Sequence, residues 1–287
     1  MYSARVKRYI QTEAENHMKI SEKLKEIERD RLNGSVTISY SILGAFMEGR
    51  VSTEDLVSII SDLENTRNTF SGMGLVRNIC SILQATIKKN EDPVEMSHKL
   101  FSEIETSSRR AVENADAIFQ EKVSFVTISN SSMIKEILDR NSKNIRMVSL
   151  LESRPNLEAI ELAKYLKGAG IPCTIYVDAS TFYASQETDF CLVGSDSILG
   201  DYSLIHKTGT FPLAMSMNHF GKKFYSIGFE LKFERGYTMS TYPRFMEHSS
   251  LEITNLGFQT RNIYFDITPA RYIWSYITEN GFISPKK

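Results

Sequence analysis

Between Cys191 and Thr210 the chain reads CLVGSDSILGDYSLIHKTGT, a stretch that brings an acid, a histidine and a lysine into one short span. Phe190–Val193 is a short apolar run of the kind a parallel sheet buries on both faces. Gly194 ends the run and Asp196 follows, so this carboxylate falls just past the carboxyl end of a strand, where open α/β sheets bind ligands. Lys207 and Gly209–Thr210 then lead into a helix-like segment, LAMSMNHF. The order strand, acid, short excursion, basic residue, helix suits a small anionic sugar or nucleotide.

Two other segments carry groups of the same kind. Arg154 follows a strand end and precedes Pro155, which fixes the local backbone. A guanidinium grips phosphate or carboxylate through a rigid fork, so a loop Arg there suits a phosphate clamp. The ordinary alternative is a surface Arg paired with Glu152 or Glu158. Ser129-Asn130-Ser131-Ser132 lies between a strand and a helix, where backbone N–H groups and hydroxyls make an anion site or, more plainly, a Ser helix cap.

The elements that must position these residues divide the 287-residue chain in two. In the first part Ile10, Met18, Ile20, Leu24 and Ile27 recur at helical spacing from Val6 to about Arg31. Further helices are expected with Ile38, Ile42, Leu43 and Phe46 on a buried face; from a Ser52–Asp55 start with Leu56, Ile59, Ile60 and Leu63; over Leu75–Lys89; and over Pro93–Phe119. Thr66–Gly74 reads as a loop. After residue 120 strand runs appear at Val123–Ile128, Arg146–Leu151, Cys173–Val177, Phe190–Val193 and Phe224–Ile227. Helical segments at Ser132–Leu138, Leu157–Lys167 and Leu213–Phe220 alternate with them, which predicts a parallel sheet. Lys232–Arg261 reads as irregular, Asn262–Phe265 as a last strand and Ala270–Asn280 as a last helix stopped by Gly281. The expected fold class is therefore α/β, with an all-helical domain over 1–120 followed by a Rossmann-like parallel-sheet domain over 121–287.

Composition narrows the function. With 24% charged and 41% hydrophobic residues the chain is of globular type. A net charge of −1 supplies no field that would draw it to nucleic acid or an anionic membrane. Cys80, Cys173 and Cys191 form no CxxC pair, which argues for a reducing compartment and against a structural zinc site. No cofactor and no metal are expected. The residues at the start carry no secretory pattern, and no run approaches ~20 apolar residues, so a cytoplasmic protein is expected. The first strand–helix junction, ISNSSMI, lacks GxGxxG, which disfavours a dinucleotide-dependent oxidoreductase.

The stretches VTISNSS (126–132), LLESRPNLEAIELAKYLKGAGIPCTIYVDAS (150–180), VGSDSILGDYSLIHKTGTFPLAM (193–215) and FDITPARYIWSYITENGFISP (265–285) resemble, in order, the translation initiation factor 2B alpha/beta/delta family. That family spans regulatory subunits, their archaeal relatives, and isomerases acting on methylthioribose 1-phosphate and ribose 1,5-bisphosphate. NGS (33–35) and TRNT (66–69) match more weakly. The resemblance implies ligand or phosphate contacts from Gly34, Arg67, Ser131, Arg154, His206 and Lys207. It also implies a homodimer formed through the Rossmann-like domain, with an initiation factor 2 subunit as a further partner. Tyr264, Phe265, Tyr272, Trp274 and Tyr276 suit either that interface or the core.

Departures from the family pattern bear on the chemistry. Ser129 stands where the isomerases carry a cysteine, which works with the aspartate matching Asp196 to move a proton between adjacent sugar carbons. A thiol can titrate near neutrality when its surroundings favour the thiolate; a serine hydroxyl cannot. Asn33 replaces the Arg of an Arg-Gly-Ala motif, Asn68 the proline of Arg-Pro-Thr, and His206 the asparagine of Asn-Lys-Ile-Gly-Thr. The expectation is a regulatory protein that binds a sugar phosphate or nucleotide without turnover. Its alternative is an aldose–ketose isomerase that uses Asp196.

Overall fold

The computed structural model describes residues 19–31, 33–49, 56–243, 245 and 247–285. By its contacts the chain forms two units: one runs through Phe70 and includes Val76–Glu103, the other comprises Ser71–Leu75 and Ile104–Lys287.

The first unit is helical throughout its described elements. Ile20–Ile27, Ser35–Glu48 and Leu56–Thr69 are helices, and Gly74–Lys88 and Pro93–Asn114 supply most of the rest. Ile38, Ile42, Leu43 and Phe46 are buried as their spacing predicts, as are Ile59 and Leu63. The expected loop at Thr66–Gly74 is shorter than the sequence implied. Helix Leu56–Thr69 continues through Thr66, whose hydroxyl donates to the Asp62 carbonyl 2.9 Å away, so only Phe70–Met73 turns. The Ser52–Asp55 helix start and most of the expected Val6–Arg31 helix lie outside the described residues.

The second unit is built on a seven-stranded sheet. Its strands are β1 (Val123–Ile128), β2 (Ile145–Leu151), β3 (Cys173–Tyr176), β4 (Phe190–Val193), β7 (Lys223–Ile227), β10 (Ser275–Thr278) and β11 (Gly281–Ile283). The spatial order is β11-β10-β7-β4-β1-β2-β3, parallel except for the β10–β11 hairpin. From β1 the chain steps outward through β2 to β3, then returns to set β4 on the other side of β1. The carboxyl ends of β1 and β4 therefore flank the point where strand order reverses, the ligand crevice of open α/β sheets. β1 and β4 are buried almost end to end, which is why both read as near-continuous apolar runs.

Two expectations fail here. Ala270–Asn280 is not a helix: a single 3-10 turn, Ala270–Tyr272, precedes the β10–β11 hairpin. Ile273, Tyr276 and Ile277 favour strand, and Gly281, at φ +98°, takes the left-handed conformation that closes the turn. The last strand before it is β9 (Phe265–Thr268), not Asn262–Phe265.

The excursion after Asp196 is structured. It forms β5 (Ser197–Leu199) and β6 (Leu204–Lys207), which join β8 (Phe233–Glu234) and β9 in a second sheet of order β8-β5-β6-β9. The four residues of β6 are all buried, so His206 and Lys207 sit inside the protein. Tyr276, fully buried, packs its ring near Phe233 and donates its hydroxyl to the Tyr202 carbonyl at 2.8 Å, tying the second sheet to the first. Of the other tail aromatics Tyr264 is buried and Trp274 half exposed. No helix among the described residues is long and apolar enough to cross a membrane.

Candidate functional site

The β1/β4 register pairs Phe125 with Phe190 and Val126 with Cys191, and Ser129 and Gly194 each follow the last residue of their strand at the reversal point. A Cβ on Gly194 would lie 3.1 Å from Ser131 Oγ and 3.3 Å from His206 Nε2, which places both groups around this glycine. Hydroxyls settle the backbone beneath: Ser226 Oγ donates to the Gly194 carbonyl (2.8 Å) and Ser195 Oγ to that of Ile227 (2.9 Å).

Ser129 has φ +73° and Ser153 φ +64°, a left-handed backbone that is unfavourable for a residue with a Cβ. The pair is locked together, with the Ser129 N–H donating to Ser153 Oγ at 2.8 Å. Ser129 Oγ donates to Glu158 Oε2 at 2.5 Å, and Glu158 Oε1 receives Lys207 Nζ at 2.6 Å. The Lys207 side chain is only 5% exposed and lies over the Tyr264 ring, 4.4 Å from its centroid. Ser131 caps the helix Ser132–Asn141.

His206 is held as a neutral ring. The Thr210 hydroxyl gives its one proton to the Lys207 carbonyl (2.6 Å), so it must accept from His206 Nδ1 at 2.9 Å. Nε2 then carries a lone pair facing the Gly194–Ser131 side. Burial, with Lys232 and Lys207 adding like charge, pushes the imidazole pKa down to about 3. His206 therefore accepts hydrogen bonds at neutral pH and is a weak base there. Cys191, in β4, is completely buried, which raises its thiol pKa.

Asp196 is half-buried, its N–H donating to the Ile205 carbonyl at 3.0 Å. Its charge acts on Lys232, whose Nζ donates to the neighbouring Ser195 carbonyl at 2.6 Å. Burial lowers the Lys232 pKa to about 8. Arg154 points into solvent; its backbone N–H, like that of Ser153, is held by the Asp178 carboxylate (2.7 and 2.9 Å). Neither Glu152 nor Glu158 pairs with the Arg154 guanidinium, the alternative its surroundings in sequence suggested.

Ser129 and Lys207 thus meet at Glu158, and Ser131 and His206 meet around Gly194, two residues before Asp196, with Arg154 one residue beyond Ser153. Gly34 and Arg67 belong to the helical unit. Gly34 precedes the helix Ser35–Glu48 in extended conformation, and Arg67 Nη1 bonds Glu64 Oε1 at 3.1 Å, one helical turn away. Sequence reasoning did not single out Glu158 or Lys232 as part of the site. Glu158 stood out only as a partner for Arg154, and Lys232 lay in a segment read as irregular.

Gly209 deserves its place at the start of helix Thr210–His219 on physical grounds. Its φ is +104°, and an added Cβ would lie 2.8 Å from Ile128 Cδ1. The Gly209 and Phe211 N–H groups donate to Asp266 Oδ2 at 2.7 and 3.2 Å. Gly209→Ala is expected to lower stability by about 1–3 kcal/mol, measured by urea unfolding; an unchanged midpoint would show that the turn relaxes freely.

A family model described as the Initiation factor 2 subunit family matches residues 8–285. The chain belongs to that family. Within it, a ribose 1,5-bisphosphate isomerase of Archaeoglobus fulgidus is 28% identical over 206 residues, covering 69% of this chain and 66% of that protein. A methylthioribose-1-phosphate isomerase of Synechococcus is 31% identical over 145 residues, covering 47% of this chain and 42% of that protein. The crystal structure of Pyrococcus horikoshii translation initiation factor eIF-2B superposes with TM-score 0.84 at 24% identity, over 93% of this chain and 97% of that one. That likeness shows the shared fold of this family. Sequence relatives within it thus include both sugar-phosphate isomerases and putative eIF-2B subunit 2-like proteins, and solved structures of both kinds share the fold.

Proposed function

We propose that this family member is an initiation factor 2B-like regulatory protein that binds a sugar phosphate or nucleotide at the β1/β4 junction without turning it over. The carrying observation is the Ser129 hydroxyl bonded to Glu158 at 2.5 Å, in the place where proton transfer would require a group titrating near neutrality. Asp196 and the His206 Nε2 lone pair suit pentose hydroxyls, which donate. Arg154 and Lys207 suit the phosphoryl group. A homodimer and an initiation factor 2 subunit as partner belong to the same reading.

The alternative, an isomerase using Asp196, draws support from the 28% identity to an enzyme of that name. One experiment separates the two. Ribose 1,5-bisphosphate and methylthioribose 1-phosphate are incubated with the protein and followed by proton NMR, while the same ligands are added in thermal melts. Raised melting temperature with unchanged ligand spectra is the expected result. Ketose formation that Asp196→Asn abolishes would replace the regulatory reading with the enzymatic one.

A further inference from the structure

Three groups of donors at this site suit an anion, and each already holds a carboxylate of the chain itself. The Ser153 and Arg154 N–H groups hold Asp178. The Gly209 and Phe211 N–H groups, at the start of a helix, hold Asp266. Lys207 holds Glu158, which spends its second oxygen on Ser129. Asp178 reaches its partners from the 3-10 turn after β3 and Asp266 from β9, and both hold only backbone N–H groups. Glu158 differs: it reaches from the first turn of helix Glu158–Gly168 to a lysine on a buried strand of the other sheet.

Resting on the reading above, we propose that Glu158 is an internal competitor for the Lys207 ammonium. A ligand phosphoryl group reaches that lysine only by displacing the carboxylate, so Glu158 sets how tightly the pocket takes phosphorylated ligands. A lysine whose side chain is 5% exposed has little room for a second anion beside the first. A phosphoryl group entering with Glu158 in place meets a like charge and a cation already neutralised. Displacing Glu158 breaks two charge-assisted hydrogen bonds, to Lys207 and to Ser129, before the ligand forms any. Because the carboxylate also holds the Ser129 hydroxyl, its displacement frees that hydroxyl at the same moment. Phosphate binding and release of the Ser129 hydroxyl are thereby one event.

Ribose 5-phosphate and inorganic phosphate are titrated by calorimetry into the intact wild-type protein, Glu158→Gln and the double variant Glu158→Gln/Lys207→Met. Glutamine keeps the shape and a hydrogen bond to Ser129 while removing the charge. The expected result is about tenfold or more tighter binding of ribose 5-phosphate to Glu158→Gln. The double variant is expected to lose the gain, with melting curves confirming that every protein is folded. Equal affinity of wild type and Glu158→Gln would overturn the competitor role and leave ligand binding intact. A gain that survives Lys207→Met would also overturn it, since the phosphate would then sit elsewhere. Absence of binding to wild type and Glu158→Gln alike would instead sink the phosphorylated-ligand reading itself.

Discussion

Acidification is expected to destabilise this protein through His206. Its imidazole pKa is held at about 3 in the fold against 6.5 when free, because burial and the nearby Lys232 and Lys207 oppose the charged ring. A depressed folded pKa contributes stability that is fully present above the unfolded value and is lost as pH falls through the folded one. The window therefore opens near pH 6.5 and closes near pH 3. Across it the loss amounts to roughly 4–5 kcal/mol, a large share of a typical domain's stability. Asp266 acts in the opposite sense. Burial raises its carboxyl pKa against the pull of the Gly209 and Phe211 N–H groups. Its contribution is present below the ordinary carboxylate range and is lost as pH rises through its raised value. The two are separated by His206→Asn, which offers Thr210 an amide N–H in place of Nδ1 and cannot ionise. Melting temperature is measured from about pH 8 down to about pH 4. The wild type is expected to fall steeply below the histidine range while His206→Asn falls much less. Parallel curves would mean that His206 is not the buried neutral ring described above.

Removing the Tyr276 side chain is the second large effect. Tyr276→Ala is expected to cost about 3–5 kcal/mol, the range for truncating a large buried aromatic. The ring is fully buried among residues of both sheets, including Val193, Leu204 and Phe233. Its hydroxyl satisfies the Tyr202 carbonyl, in the turn that joins β5 to β6. Tyr276→Phe keeps the ring and loses that hydrogen bond, so about 1 kcal/mol is expected. Urea unfolding of the sheet unit reads both, and a near-equal cost for the two variants would assign the effect to the hydroxyl alone. Because β6 carries His206 and Lys207, Tyr276→Ala is also expected to weaken ribose 5-phosphate binding more than Tyr276→Phe does.

The parallel sheet was legible because its strands are short apolar runs separated by helix-length segments, and Phe190–Val193 is buried at every position. Asp196 was legible for the same reason: a carboxylate just past a strand has a position dictated by sheet topology. The second sheet was harder to see. β5 and β8 contain three and two residues, too few to establish a period, and β6 carries His206 and Lys207 where buried strands normally carry hydrophobes. The Ala270–Asn280 segment misled because Ala270, Ile273, Trp274 and Ile277 fall at helical spacing. The pairing of Tyr276 with Ser226 and Ile283 overrides that pattern. Glu158 shows the limit of reading charge from sequence, since only the fold reveals that a first-turn acid meets a lysine many residues later.

The order in which the second sheet is completed has a consequence for synthesis. β6 pairs antiparallel with β5 on one side and with β9 on the other, and the residues of β9 leave the ribosome well after His206 and Lys207 do. Until Phe265–Thr268 emerges, the growing chain presents β6 with an unsatisfied edge and the helix at Thr210 without its Asp266 anchor. Nascent polypeptide halted before that point has the acid and the serine loop but no finished cradle, and is a natural client for a chaperone that shields unpaired strands.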